Sequence, residues 1–255
     1  MTIISKNHNF IFIHIPKCGG SSIEIVFERY LNWGDFVIGS SEKGEILHQQ
    51  IFNKLYGLEK HSTAIEIRKI LTPRVFDAME VVAVVREPIK IVESYYKFSK
   101  LAHNWIAAHF QNKMPNNDFA AAQLFVLNLL RTGRLNTKGR FEFVNLLNGT
   151  IKAGILSDSF EEFVTRVADD RWVDYLSSYT YDGSERLATR LIHLENKGGI
   201  EAYFQDKVGQ SFKLETHNAS PNLQCIWPRD MKNQYYDKMA SEYERFEYRV
   251  DDSAV

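Results

Sequence analysis

Two segments of the sequence share one arrangement, in which an apolar run is followed by a polar loop and then by an amphipathic stretch. The first runs from FIFIHI at residues 10–15 through PKCGG to SSIEIVFERYL, and the second from VVAVV at residues 81–85 through REP to IKIVESYYKFSKL. Short runs of β-branched and aromatic residues predict buried strands, and the apolar spacing after each loop predicts a helix. Two such units predict a three-layer α/β fold with a central parallel sheet flanked by helices, which binds ligands at the carboxyl ends of its strands.

Other segments predict the rest of the fold. Helices are expected at residues 65–71, at residues 120–130 and in SFEEFVTRVA, and a third core strand at residues 190–196. Ser21 or Ser22 is expected to cap the first helix, and Asp158 or Ser159 the SFEEFVTRVA helix. The C-terminal NQYYDKMASEYERFEY is expected to pack its Tyr and Phe side on the core. With 255 residues and no internal repeat or linker, a single domain over residues 1–255 is predicted.

Charge and cysteine content narrow the class of protein. The formal net charge of -1 gives no general cationic field, so the partner is expected to be a small anion rather than a nucleic acid. Cys18 and Cys225 are the only cysteines and form no CxxC or Cys/His cluster, so neither a disulfide framework nor a metal site is expected. The apolar run at residues 10–15 is too short for a signal peptide or a membrane span, and a cytoplasmic protein is predicted.

The first loop has the composition of an anion-binding site. Gly19 and Gly20 let backbone N–H groups approach an anion without a Cβ in the way, and the hydroxyls of Ser21 and Ser22 add donors. The N-terminus of the following helix contributes a favourable dipole, and Lys17 contributes a positive charge. The lysine precedes the glycines, unlike in the GxxxxGK[ST] pattern. A plain Gly-Gly turn after a strand is the alternative interpretation.

The second loop places an arginine at the end of a strand and a hydroxyl on the helix that follows. Arg86 ends the strand, Pro88 opens the helix at a position where its missing N–H costs little, and Ser94 lies two turns along. A guanidinium with paired hydrogen bonds and a serine hydroxyl can together hold a phosphate. An arginine at a strand end can equally be a structural ion-pair partner, so both interpretations stay open.

Together the two loops resemble those of a known family. A strand ending in PKxGGxS, followed by a strand ending in RxPxxxxxSYY, resembles the two cofactor loops of sulfotransferases that use 3′-phosphoadenosine 5′-phosphosulfate (PAPS). KHSTAIEIRKIL fits the same pattern, and RLIHLEN, HNAS and the aromatic C-terminal segment fit it more weakly. The chain is most similar to the carbohydrate-type branch, while YYKF is similar to the cytosolic branch. The resemblance implies a P-loop-like fold and a reaction that needs no metal.

The resemblance also implies roles for individual residues. The first loop would hold the 5′-phosphosulfate of PAPS, while Arg86 and Ser94 would hold the 3′-phosphate. The sulfuryl group would pass in line to a hydroxyl or amine of an acceptor, such as a carbohydrate or a small molecule, leaving PAP. His61 stands where several relatives carry a catalytic histidine, and Glu87 stands where Asn or Asp is usual. Cys18 replaces the Thr or Ser of many relatives. Lys17 would also stabilise the leaving oxygen. The first-loop residues that would hold the 5′-phosphosulfate are Lys17, Cys18, Gly19, Gly20, Ser21 and Ser22.

Histidine suits the role of general base because its ordinary pKa lies near 6.5, close to neutral pH. A capping or packing role in the KHST turn is the alternative for His61. His48, Glu24 and Glu66 are the other candidate bases. His14 lies inside the predicted strand and is interpreted as a core histidine with its hydrogen bonds satisfied.

Two segments and two rival functions stay open. The basic loop RTGRLNTKGR at residues 131–140 could hold an anionic acceptor, close on the cofactor or be a solvated surface loop. HNWIAAHFQNKM at residues 103–114 could line an acceptor pocket or pack as a helix. A P-loop kinase or NTPase shares the phosphate cradle, but the lysine order and the lack of a strand-end carboxylate pair disfavour it. A non-catalytic nucleotide-binding protein of the same fold is the other alternative.

Overall fold

The computed structural model describes residues 2–39, 44, 50–132, 149–168, 170–215 and 222–250. The chain divides into two compact units. The first comprises Met1–Pro88, Arg171–Ala219 and Met239–Val250, and the second comprises Ile89–Asp170, Ser220–Lys238 and Asp251–Val255. That the two form one domain over residues 1–255 stays a prediction.

Both sheets of the described chain belong to the first unit. The strands are β1 (Thr2–Ser5), β2 (Phe10–Ile13), β3 (Phe36–Ile38), β4 (Glu80–Val85), β5 (Tyr181–Asp182), β6 (Glu185–Arg186) and β7 (Arg190–His193). A five-stranded sheet has the order β3-β1-β2-β4-β7, and β5 pairs with β6. Strands β2, β4 and β7 pair in parallel, whereas β1 is antiparallel to β2 and β3. The predicted α/β fold with a mostly parallel central sheet flanked by helices is confirmed, including the third core strand.

The helices follow the apolar spacing of the sequence. They are α1 (Gly20–Phe27), α2 (Gln50–Tyr56), α3 (Ala64–Leu71), α4 (Pro73–Phe76), α5 (Pro88–Gln111), α6 (Phe119–Arg131), α7 (Gly149–Leu156), α8 (Phe160–Arg166), α9 (Ser177–Thr180), α10 (Lys197–Val208), α11 (Arg229–Lys238) and α12 (Ala240–Arg245). Within the described ranges, none of these helices is both long and apolar enough to cross a bilayer.

The helix starts near the predicted site show which sequence signals were correct. The N-cap of α1 is Gly19, which makes no side-chain capping bond, so the prediction of Ser21 or Ser22 as the cap is wrong. The reason is that the helix already begins at Gly20, which places both serines inside its first turn. At α8 the Ser159 hydroxyl accepts the N–H of Glu162, which confirms one of the two predicted caps.

Aromatic side chains build the interior of each unit. In the first unit Phe10 packs edge-on against Phe27 at 5.2 Å, and Phe204 stacks on Phe212 at 5.0 Å between ring centroids. In the second unit Phe160 contacts Trp227 at 4.9 Å. Burying one such side chain contributes roughly 1.5–3 kcal/mol. Four of the five aromatic residues of the C-terminal segment are buried as predicted, and Tyr248 is partly exposed. The buried four are Tyr235, Tyr236, Tyr243 and Phe246.

Candidate functional site

The first predicted loop lies at the carboxyl end of β2, immediately before α1. Within it the Cys18 N–H donates to the Ile15 carbonyl at 3.3 Å, and the Ser22 N–H donates to the Gly19 carbonyl at 3.2 Å. Lys17 has φ 68° and Gly19 has φ 77°, so both adopt the left-handed conformation. Left-handed positions occur in loops whose backbone N–H groups face an anion. This loop has two such positions, and the N–H groups of Cys18 and Ser22 donate within the loop itself.

Two glycines of this loop stand where a larger residue would collide with its surroundings. A Cβ on Gly19 would lie 2.5 Å from Cδ1 of Leu194, and one on Gly20 would lie 2.4 Å from Cδ2 of His14. Gly19 also has the backbone conformation that L-residues rarely adopt. The packing of Leu194 and His14 against the loop thus requires glycine at both positions. A plain surface turn would not need two glycines.

Cations converge on the same loop. The Nη1 of Arg86, which follows β4, donates to the Lys17 carbonyl at 3.4 Å. Burial lowers the pKa of Lys17 to about 7, and the charges of Arg86 and Lys60 act in the same direction. A bound anion would offset this repulsion and raise the lysine pKa again. The loop therefore combines left-handed backbone with positive charge that an anion would stabilise.

A buried cluster of two histidines and one carboxylate adjoins the loop. The Nδ1 of His14 lies 2.7 Å from Oε1 of Glu24, and both side chains are buried. The Nδ1 of half-buried His61 lies 3.1 Å from the His14 carbonyl, and the two rings pack edge to face at 4.6 Å. Burial lowers the pKa of His14 well below its ordinary value and that of His61 to about 3. The interpretation of His14 as a hydrogen-bonded core histidine is confirmed.

Carboxylates and tyrosines border the ends of β4 and β7, and the sequence analysis assigned them no role. The N–H of Glu87 donates to Oε1 of Glu195 at 3.2 Å. The hydroxyl of Tyr243 donates to Glu87 at 3.1 Å, and that of Tyr248 donates to Glu195 at 3.0 Å. The C-terminal segment therefore fixes two acids beside the cationic loop. The position of Glu87 directly after Arg86 is the one sequence signal that could have indicated this arrangement.

A cavity of about 190 Å³ opens beside the loop within the first unit. Its apolar lining comes mainly from Leu194, Ile200 and Leu214. Ser22, Lys197 and the acidic Glu215 add polar groups. Such a mixture of apolar walls and a few polar groups is typical of small-molecule sites.

The remaining predicted residues lie elsewhere or outside the described ranges. Ser94 is buried on α5 in the second unit, so its joint action with Arg86 stays a prediction. The carboxylate of Glu66 accepts the Thr63 N–H at 2.7 Å in the capping box of α3, which gives this candidate base a structural role. His48, HNAS and residues 133–140 of the basic loop lie outside the described residues.

Three further observations concern the thiols, a possible metal site and the predicted acceptor segment. Cys18 is buried, and this burial raises the pKa of its thiol, while its N–H donates to the Ile15 carbonyl. Across the described ranges, no three His, Cys, Asp or Glu residues are grouped as a metal site would require. In the predicted acceptor segment, Phe110 packs on Phe125 at 5.3 Å, as the helical interpretation expects.

Comparison with known families places these features in context. The chain matches the model of the Sulfotransferase family over residues 1–249, a range that includes both loops and the histidine cluster. No curated protein and no solved structure matches the chain.

Proposed function

This chain belongs to the sulfotransferase family, and we propose that it transfers the sulfuryl group of PAPS to a hydroxyl or amine of an acceptor. The observation that carries the proposal is the loop after β2, where the Arg86 guanidinium donates to the Lys17 carbonyl beside left-handed backbone at Lys17 and Gly19. A donor that carries two phosphates and a sulfate is the kind of ligand whose charge such a loop would stabilise.

The residues present fit PAPS in two respects. Lys17 and the Arg86 guanidinium place two cationic side chains at the loop, which suits a ligand with several negative charges. The cavity lined by Leu194 and Ile200 borders the same loop and could receive a purine ring. We infer that the first loop holds the 5′-phosphosulfate and that Arg86, together with Ser94, holds the 3′-phosphate.

His61 supplies the general base in this proposal. Its Nδ1–H donates to the His14 carbonyl, which leaves Nε2 with its lone pair. Nε2 takes the acceptor's proton while the acceptor oxygen or nitrogen bonds to sulfur, and the electrons of the breaking S–O bond move to the bridging oxygen of the 5′-phosphate. Lys17 stabilises the charge on that oxygen. A general base typically contributes 10²–10⁴-fold and a preorganised charge contact ~10²–10³-fold.

In the empty site burial lowers the pKa of His61 to about 3, which leaves the imidazole unprotonated but a weak base. The negative charge of a bound donor would raise this pKa toward the range in which histidine accepts a proton at neutral pH. The pKa of Lys17, about 7, leaves the empty site with a partly neutral amine, which a bound anion would return to the charged form. Ligand binding would thus complete the charge that the reaction needs.

Two measurements test the proposal. Thermal shift with PAP, ATP and GTP, with and without magnesium, should show stabilisation by PAP that does not depend on the metal, amounting to ~2.7 kcal/mol at one hundred times Kd. Radiolabelled PAPS is then incubated with 2-naphthol, methyl β-galactoside and a peptide with Ser, Tyr and Lys, and label should move to at least one of them. Preference for ATP with magnesium would instead favour a P-loop kinase or NTPase. PAP binding without transfer to any probe would favour a non-catalytic nucleotide-binding protein.

A further inference from the structure

The buried pair of Glu24 and His14 takes no part in the reaction proposed above. Glu24 is 0% exposed and His14 is 3% exposed, and they lie on the core sides of α1 and of the segment after β2. Apolar residues of similar volume at buried ionic positions are often neutral or stabilising, so stability alone does not explain an ionisable pair here. Its location suggests another role.

His14 connects the pair to the proposed base through two separate contacts. Its main-chain carbonyl receives the Nδ1–H of His61 at 3.1 Å, and its ring packs edge to face on the ring of His61 at 4.6 Å. The first contact selects the tautomer of His61, and the second restricts the rotation of its ring. In the described part of the chain, no hydrogen bond reaches Nε2 of His61, which is the nitrogen that must face the acceptor.

The ring of His14 is itself held from two sides. Its Nδ1 lies 2.7 Å from Oε1 of Glu24, a short contact typical of a charge-assisted hydrogen bond. The opposite side of the ring lies against the backbone of Gly20, where a Cβ would come within 2.4–2.6 Å of three ring atoms. Because Gly20 and Glu24 belong to α1, the helix that follows the anion loop fixes the histidine ring.

We propose that Glu24 and His14 are positioning residues that hold His61 in the tautomer and orientation in which Nε2 takes the acceptor's proton. Glu24 orients the ring of His14, and His14 orients His61. This inference rests on the proposed function, since it presupposes that His61 is the base.

The first test replaces Glu24 by its neutral isostere. Glu24→Gln lets an amide N–H donate to Nδ1 of His14, which favours the other tautomer of that ring. We expect kcat with the best acceptor probe to fall about 10–100-fold, as when the partner that orients a functional histidine is lost, while PAP affinity by calorimetry stays within about threefold. Glu28→Gln, on the short helix that directly follows α1, is the matched control and should keep the wild-type rate.

A second readout needs no turnover. Two-bond ¹⁵N–¹H spectra of labelled protein distinguish protonated from unprotonated ring nitrogens. We expect the wild-type spectrum to show both histidines with the proton on Nδ1, and Glu24→Gln to move the His14 proton to Nε2 and shift the signals of His61. Unchanged His61 signals together with wild-type kcat in Glu24→Gln would overturn the proposal.

A double variant keeps the test decisive if Glu24→Gln folds poorly. His14→Phe/Glu24→Leu keeps the main-chain carbonyl and a flat ring of similar volume, and it removes the hydrogen bond between Glu24 and His14 that holds this ring in its orientation. We expect this protein to bind PAP and to lose kcat about 10–100-fold. A folded double variant with wild-type kcat would show that the pair is only structural. The base assignment is tested separately by His61→Ala, because full activity in that variant would overturn the proposed mechanism. The His14 signals in wild type and in Glu24→Gln report on the hydrogen bond between Glu24 and His14, whether or not His61 is the base.

Discussion

Gly20→Ala is the substitution that tests the packing of the site most directly. Gly20 is the first residue of α1, and a Cβ there would lie 2.4 Å from Cδ2 and 2.6 Å from Cγ and Nε2 of His14. Ordinary van der Waals contact begins near 3.4 Å, so one partner must move by up to about 1 Å. The His14 ring cannot move freely because its other side is bound to Glu24 at 2.7 Å.

The size of the effect follows from three contributions. Alanine is favoured over glycine in a helix by roughly 0.5–1 kcal/mol. Overpacking costs about 1–3 kcal/mol. If the ring tilts away from Glu24, the loss of a hydrogen bond to a charged group adds about 1.5–3 kcal/mol. The sum predicts that Gly20→Ala lowers the free energy of unfolding by about 3 kcal/mol.

The assay is urea unfolding of four proteins: wild type, Gly20→Ala, His14→Ala and the double variant. With the ring removed, Gly20→Ala should change from destabilising to neutral or stabilising by roughly 0.5–1 kcal/mol, because only the helix propensity remains. If Gly20→Ala is more stable than the wild type while the His14 ring is present, the reasoning is refuted. It would show that the ring of His14 does not pack against α1 as described.

Three more predictions concern the charges of the site. Lys17→Ala should lower kcat ~10²–10³-fold with a smaller effect on PAP affinity, and a wild-type rate in this variant would refute the role of the lysine. Because the pKa of Lys17 is about 7, kcat/KM of the wild type should fall above about pH 7, and Lys17→Arg should move this fall to higher pH. Kinetics from pH 5 to 9 test both points. Arg86→Ala should reduce the preference for PAPS over adenosine 5′-phosphosulfate roughly 10–150-fold by calorimetry, with a smaller loss for Ser94→Ala; an unchanged ratio would make Arg86 a structural partner. Because the pKa of His61 is lower in the folded state than in the unfolded state, its contribution to stability is complete above about pH 6.5 and is lost as pH falls toward 3. At pH 5 this loss is about 2 kcal/mol of the free energy of unfolding. The urea midpoint of His61→Asn should therefore decline less than that of the wild type between pH 7.5 and 5. An equal decline in both proteins would contradict that assignment.

The sequence predicted the parts of the fold that depend on local pattern. The run VVAVV is apolar without alternation, and β4 is indeed buried from Val81 to Val85. Strand β1 was not predicted because its four residues, TIIS, are too short to show a period. Its antiparallel pairing with β2 is a long-range contact that no local pattern contains.

The candidate site was predicted in its parts but not in its connections. The sequence indicated Lys17, Arg86 and His61 as candidates, and the structure brings the first two together and places His61 against His14. The contact between His14 and Glu24 could not be predicted, because it joins the end of a strand to one face of a helix across the loop. A weak signal did exist, since an acid at position 24 falls among the buried positions of α1.

The left-handed backbone conformation of Lys17 affects which variants are favoured by selection for thermostability. A residue with a Cβ in this conformation costs roughly 1–2 kcal/mol, which asparagine or glycine would largely avoid. Selection for thermostability alone should therefore replace Lys17 early, and the resulting proteins would resist unfolding while losing the amine that we propose stabilises the leaving oxygen. Libraries selected for both heat resistance and turnover should instead retain the lysine and gain their stability at positions away from the loop.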